Sequence, residues 1–125
     1  MRVLLDTQLV YWFFFEEQNV SAEAWEVMGK ADDVHVSAVS IWEIAIKVRI
    51  GKMKADPYQI ATALKDAGFI ELPVYARHTV LVAKMPMHHG DPFDRLLIAQ
   101  AMEEPMHLLT TDTHLKQYSK LVIEV

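Results

Sequence analysis

No cysteine occurs anywhere in the chain, which removes disulfides and thiolate metal sites and gives no sign of an oxidising compartment. Glycine and proline are scarce, at four and five residues, and no stretch rich in Pro, Gly or Ser marks a linker or a disordered tail. The most hydrophobic run, Leu9 to Phe15, falls far short of the ~20 residues needed to cross a bilayer. The N-terminus MRVLLDTQ lacks the longer apolar segment and small-residue cleavage site of an export signal, so a cytoplasmic location is expected. Positive charge is also in short supply: twelve Lys and Arg against seventeen Asp and Glu give a net charge of −5. That balance argues against a protein that binds nucleic acid through bulk electrostatics. The argument lapses if several acids gather around divalent cations, because bound ions invert the local charge.

The 125 residues suit one domain spanning 1–125, and a 52% hydrophobic content is enough for a real core. No internal repeat is present. The centre of the pattern is His88 to Ala101, HHGDPFDRLLIAQA. Asp91 can cap a helix, Pro92 fits its first position and Asp94 falls in its first turn. From Leu96 to Ala101 little polar surface remains, so this helix is expected inside the fold with Asp94 at its mouth. Helix-dipole complementarity accounts for an acid there. A metal site accounts for it equally, provided other segments supply more carboxylates. The adjacent histidines lack the i, i+4 spacing of helical zinc ligands and read as loop polarity.

Arg2 to Leu5 reads as a buried strand ending at Asp6, with a helix from Thr7. Ser21 caps a helix to Lys30 whose inward face is Ala24, Trp25 and Met28. Val34 to Val36 is a second strand, with His35 exposed or at an edge. Ser37 or Ser40 starts a helix over Ile41 to Ile50 that Gly51 closes. Ile41, Ala45 and Val48 mark its apolar face, Trp42, Ile44 and Ile46 widen it, and Glu43 lies among them, where a charge is costly unless paired or metal-bound. Lys47, four residues on, is one candidate partner. Lys47, Arg49, Lys52 and Lys54 form the chain's concentrated basic stretch, suited to a phosphate backbone or simply to a solvated helix end.

Asp56 and Pro57 open another helix that stops at Gly68, and Phe69 to Leu72 is a short strand. Tyr75 to Met85 has helical spacing with Val80, Leu81 and Ala83 inward. His107 to Thr110 is a strand, Asp112 can cap a helix through Tyr118, and Leu121 to Val125 is an edge strand. Alternating strands and helices imply an α/β sandwich with a largely parallel sheet. In such a sheet strand C-termini share one edge, which brings Asp6 and Asp112 together near the helix mouth at Asp94, with Glu43 joining from the side. Clustered carboxylates repel unless protonated or neutralised by cations. Hard oxygen donors of this kind favour Mg²⁺ or Mn²⁺ and phosphoryl chemistry.

LLDT with Asp6, SAVSIWEIAIKVRIGK with Glu43, HHGDPFDRLLIAQA with Asp94 and LLTTD with Asp112 resemble, in combination and order, the PIN-domain ribonucleases, particularly the VapC-type toxins of toxin-antitoxin pairs. The resemblance spans essentially the whole chain. It implies a PIN-like three-layer α/β/α sandwich with a mostly parallel central sheet, Mg²⁺ or Mn²⁺ held by Asp6, Glu43, Asp94 and Asp112, and endonucleolytic cleavage of RNA. It further implies Thr110 as a supporting hydroxyl, Asp91 and Arg95 in supporting roles, a homodimer, and a cognate antitoxin covering the active-site groove. Lys47, Arg49 and Lys52 are the candidates for RNA contact. Two Mg²⁺-using alternatives fit less well. A phosphorelay receiver is expected to place paired acids after its first strand, where this chain has Leu5 before a single Asp6. A haloacid-dehalogenase-type phosphatase wants an acid at position 8, which is Gln8. A non-catalytic interaction module would have no use for all four acids.

Overall fold

The computed structural model describes residues 1–125 with the exception of His89. Five strands form one sheet: β1 (Arg2–Leu5), β2 (Asp33–Ser37), β3 (Ile70–Leu72), β4 (His107–Thr110) and β5 (Val122–Glu124). They lie in the order β3-β2-β1-β4-β5, every pairing parallel. The period of two along each strand divides the interior in two. Val3, Leu5 and Leu109 join one apolar cluster, and Leu4 and Leu108 join the other. Against the first pack α1 (Thr7–Phe15), α2 (Ala22–Lys30) and α4 (Pro57–Ala63) through Leu9, Val10, Ala24 and Ile60. Against the second pack α5 (Ala76–Val82) and α6 (Pro92–Glu103), the latter through Leu97, Ile98 and Ala101. Between them α3 (Ala38–Arg49) gives Ile44 to one cluster and Val39 to the other. The result is the expected α/β/α sandwich with an all-parallel sheet.

Connectivity sets where a site can form. From β1 the chain runs outward through β2 to β3, then crosses to the other side of β1 to add β4 and β5. The direction of winding therefore reverses at β1, and the crevice beyond the C-terminal ends of β1 and β4 is where open parallel sheets receive ligands.

Local chemistry explains most helix boundaries. Asp6, Ser21, Ser37, Asp56 and Asp91 each accept a backbone N–H in the first turn of the helix they precede. Ser37, not Ser40, starts α3. At its other end Gly51, with φ +80°, lets Lys52 N–H reach back to Lys47 O at 2.8 Å and its own N–H to Val48 O at 3.1 Å, a closure that needs a left-handed residue.

Several sequence expectations are corrected. Trp42 is largely exposed and Trp25 is 39% exposed, rather than inward; Ala24 and Ile44 fill those helix faces, while Trp25 packs on Phe13 and Trp42 lies edge-on to Phe93. In α5, Val80 and Ala83 face outward and the buried residue is His78. Its Nδ1 accepts Tyr75 N–H at 3.0 Å, so Nε2 carries the proton donated to Glu104 Oε2 at 2.5 Å. A polar side chain with its partners supplied took the place the periodicity assigned to apolar ones. Asp112 caps no helix; only a single 3-10 turn, Leu115–Gln117, follows it. A buried Gln100 bridges elements by accepting from Ser37 Oγ at 2.6 Å and donating to Pro73 O at 3.1 Å.

His35 is buried within β2, an interior strand, with Nδ1 lacking a partner among the described residues. Burial pushes its pKa below 6.5, and Arg2 works in the same direction, while Asp33, Glu104 and a hydrogen bond with the Val3 backbone oppose it. The native state thus binds fewer protons than the unfolded chain between the two pKa values. Stability from this group is full above pH ~6.5 and lost as pH falls toward the depressed value. The melting temperature is expected to drop from pH 7 to 5.5, and His35→Leu to flatten that drop; an identical slope in the variant would contradict it.

Candidate active site

Asp6 is the first residue past β1, and the β1–β4 register, Leu5 opposite Leu109, sets it beside Thr110. Its carboxylate is buried and hydrogen-bonded at both oxygens: Oδ1 accepts Leu9 N–H at 2.8 Å, and Oδ2 accepts the Thr110 hydroxyl at 2.6 Å and Thr111 N–H at 3.2 Å. Thr110 Oγ1 in turn accepts Asp112 N–H at 3.0 Å. One hydroxyl thereby ties the acid after β1 to the backbone of the acid after β4. Burial raises the Asp6 pKa above the usual carboxylate range, the negative charge of Glu43 adds to the rise, and the three hydrogen bonds oppose it. An acid whose native pKa is raised is costly to keep ionised, so a cation at this place would be stabilising.

Glu43 reaches the same region from the middle of α3. It is 4% exposed, and its Oε2 pairs with Lys47 Nζ at 2.9 Å, the i, i+4 pairing left open by the sequence. Its Oε1 is buried without a hydrogen-bond partner among the described residues. Asp94 lies half-buried in the first turn of α6, held by the cap in which Asp91 Oδ1 accepts Phe93 N–H at 2.8 Å and Asp94 N–H at 3.2 Å.

These side chains surround a cleft of about 200 Å³ lined by Asp6, Glu43, Asp91, Asp94 and Asp112, with Lys47 as its cation. Thr7, Gln8 and Thr111 complete the lining. Sequence reasoning passed over Thr7, though it directly follows Asp6; its hydroxyl donates to Ser40 Oγ at 3.1 Å and fastens α1 to α3 beneath the cleft. Asp112 Oδ1 accepts His114 N–H at 2.8 Å and lies 3.0 Å from its ring Nδ1.

Three expected residues stand elsewhere. Arg95 turns away from the acids: its guanidinium donates to Pro86 O at 3.0 Å, Val82 O at 3.2 Å and the Tyr118 hydroxyl at 3.1 Å. It clamps the segment between α5 and α6. Arg49 is exposed and lines neither the cleft nor its neighbour, while Lys52 lines the adjoining groove. Of the adjacent histidines, His88 packs edge-on against Tyr118 with ring centroids 5.1 Å apart, and His89 lies outside the described residues.

Among the described residues no three acids or histidines are drawn into a finished metal cage. The donor set nonetheless fits a hard divalent cation: five carboxylates and one ammonium line the same cleft, and one buried carboxylate oxygen lacks a partner among the described residues.

A parallel sheet wound outward from β1, with an acid-lined cleft at the reversal point, defines an α/β/α sandwich built to hold a hard cation. Residues 3–121 match the PIN domain, and the chain belongs to that family. It is 33% identical over 122 residues to Ribonuclease VapC22 of Mycobacterium tuberculosis, covering 93% of this chain and 91% of that protein. The fold is similar to VapBC2 from Rickettsia felis, solved bound to a DNA fragment from its promoter, with a TM-score of 0.70, 16% identity, and 100% and 98% of the two chains covered. A toxin-antitoxin complex from Klebsiella pneumoniae matches with a TM-score of 0.63, 16% identity, and 98% and 99% coverage. No helix among the described residues is long and apolar enough to cross a membrane.

Proposed function

We propose that this chain is a metal-dependent endoribonuclease, the toxin of a type II toxin-antitoxin pair, that hydrolyses RNA phosphodiester bonds. The observation that carries the reading is the convergence of Asp6, Glu43, Asp94 and Asp112 from four separate elements on one cleft. The similarity to a VapC ribonuclease and to toxin-antitoxin structures supports it.

Asp6, Asp94 and Asp112 would hold Mg²⁺ or Mn²⁺, with Glu43 completing the set. When bound, the ion supplies a lowered pKa for water and neutralises charge on the phosphate oxygens. The chain's own groups do the rest. Thr110 fixes Asp6 by donating to Oδ2, so that both Asp6 oxygens have set orientations before any ligand arrives. Lys47 holds Glu43 by Oε2 and leaves Oε1 as the acceptor that orients or deprotonates the attacking water. Asp91 fixes the first turn of α6 and thus the reach of Asp94.

RNA is the substrate, and an antitoxin covering the cleft is the expected partner. Exposed Trp42, Val74, Tyr75 and Val80 support a further protein contact on that side, assigned to a second copy of the chain.

Purified protein incubated with structured and single-stranded RNAs should cleave with Mg²⁺ or Mn²⁺ and stop in excess chelator. Because the ion binds only the native site, either metal should also raise the melting temperature without RNA. Undiminished cleavage in chelator would sink the proposal.

A further inference from the structure

We infer that the groove continuing from the acid cleft, between the C-terminal half of α3 and the start of α6, is a subsite for one unpaired base of the RNA strand; the inference rests on the ribonuclease reading above. Its volume is about 370 Å³, its walls are Ile46, Ile50, Pro92 and Phe93, and its cations are Lys47 and Lys52. Glu43, Lys47 and Asp91 line both this groove and the acid cleft. The two are therefore one continuous depression, and a strand whose phosphate sits at the acids passes its neighbouring base into the apolar part.

The chemistry of the walls suits a base. Every base has an apolar π-face that stacks on aromatic and aliphatic side chains without regard to sequence. Phe93 is held edge-on to Trp42, ring centroids 5.0 Å apart, so the wall is set before a ligand arrives. The cations suit the phosphates on either side of that base. Their placement follows from the Gly51 turn, which folds Lys52 back so that its N–H bonds Lys47 O. In a chain of net charge −5, the exposed Lys52 beside an acidic cleft, with Lys47 shielding Glu43 at the junction, is complementary to a polyanion. Lys47 already pairs with Glu43, so Lys52 is the cation that an apolar protein segment would leave without a counter-charge and a phosphate would engage. A base paired and stacked in a helix cannot enter, so the substrate at this point is single-stranded.

Ile50 is 58% exposed and Lys52 is exposed, so Ile50→Glu and Lys52→Glu should fold with the parent melting temperature. Binding of a fluorescein-labelled single-stranded oligoribonucleotide is read by anisotropy in an Asp94→Asn background, and steady-state cleavage in the Asp94 parent. Each variant is expected to weaken binding about ten-fold or more and to raise KM by a similar factor, with kcat within about two-fold. An abasic residue next to the cut should cost the parent a comparable factor and the Ile50→Glu protein little more. Unchanged binding and KM in both variants, or an equal abasic penalty in parent and variant, overturns the subsite while leaving the ribonuclease reading intact. RNA binding unchanged while antitoxin affinity falls assigns the groove to a protein segment and likewise overturns it. A parent that cuts no RNA overturns the ribonuclease reading and the subsite with it.

Discussion

Asp94→Asn is expected to abolish detectable RNA cleavage, a loss of at least about a thousand-fold, while leaving the fold intact. Losing one neutral hydrogen-bond donor from an electrostatically preorganised site costs roughly 10²–10³ in rate, and Asp94→Asn removes a whole charge from the cation's ligand set, so the loss is placed at or above the top of that range. The stability effect has the opposite sign from a typical core substitution. Asp94 shares its cleft with Asp6, Glu43, Asp91 and Asp112, so removing one negative charge relieves repulsion in metal-free protein. The variant should melt at the parent temperature or slightly above it in chelator, and should lose the rise that Mg²⁺ gives the parent. Asp91→Ala is the control on the same helix. It removes the oxygen that accepts from Phe93 and Asp94, so it should cost ~1 kcal/mol, whereas Asp91→Asn should cost little. Melting curves and one RNA time course per variant, with and without Mg²⁺, decide the matter. If Asp94→Asn cleaves like the parent and is merely less stable, Asp94 is a helix-start acid and nothing more.

Arg95→Met should do the reverse, with a large loss of stability and no specific loss of chemistry. Arg95 is 7% exposed, and its guanidinium donates to Pro86 O, Val82 O and the Tyr118 hydroxyl. Methionine fills part of the volume but leaves part-buried acceptors without their donor, each costing about 1 kcal/mol, the low end for an unmet hydrogen bond. A total of roughly 2–3 kcal/mol is expected, a large share of the ~5–15 kcal/mol typical of a whole domain. Arg95→Lys should recover little, since a single ammonium cannot reproduce a planar fork that spans several acceptors. At low temperature, where the variant is folded, kcat per folded molecule should match the parent. A folded, stable Arg95→Met with lost activity would return Arg95 to the site.

The contrast between these neighbours shows what the sequence could and could not disclose. Asp94 and Arg95 are adjacent, both polar at the start of an apolar helix, and no periodicity argument separates them; successive residues on a helix point about 100° apart, and only the packing says which direction is the cleft. The strand-end acids were legible because parallel sheets put strand C-termini on one edge, so Asp6 and Asp112 could be brought together from pattern alone. Glu43 was legible because a charge amid Ile41, Ile44 and Ile46 demands a reason. The pattern failed where polar groups were buried with their partners. His78 is satisfied by Glu104 and Tyr75, whose contacts come from the fold, and so Val80 was expected in its place. His35 was read as exposed or at an edge, whereas pairing of β2 on both sides places it in the interior. Trp25 and Trp42 were placed inward on hydrophobicity, but the clusters are closed by smaller side chains and the two rings lie at the surface, against Phe13 and Phe93.

The bond between Thr110 and Asp6 spans 104 positions of sequence, and this has a bearing on how the protein is made. Translation delivers β1 first, and β2, α3 and β3 can dock on one side of it as they emerge. Its other side waits for β4, which begins at His107. Until then Asp6 has neither the Thr110 hydroxyl nor the Thr111 amide, and Asp112 has not been synthesised. Domains close as units once their last long-range pairing becomes available. A nascent chain still held in the ribosome thus carries three of the four acids without the strand that aligns them, and the cleft stays unassembled until β4 has emerged.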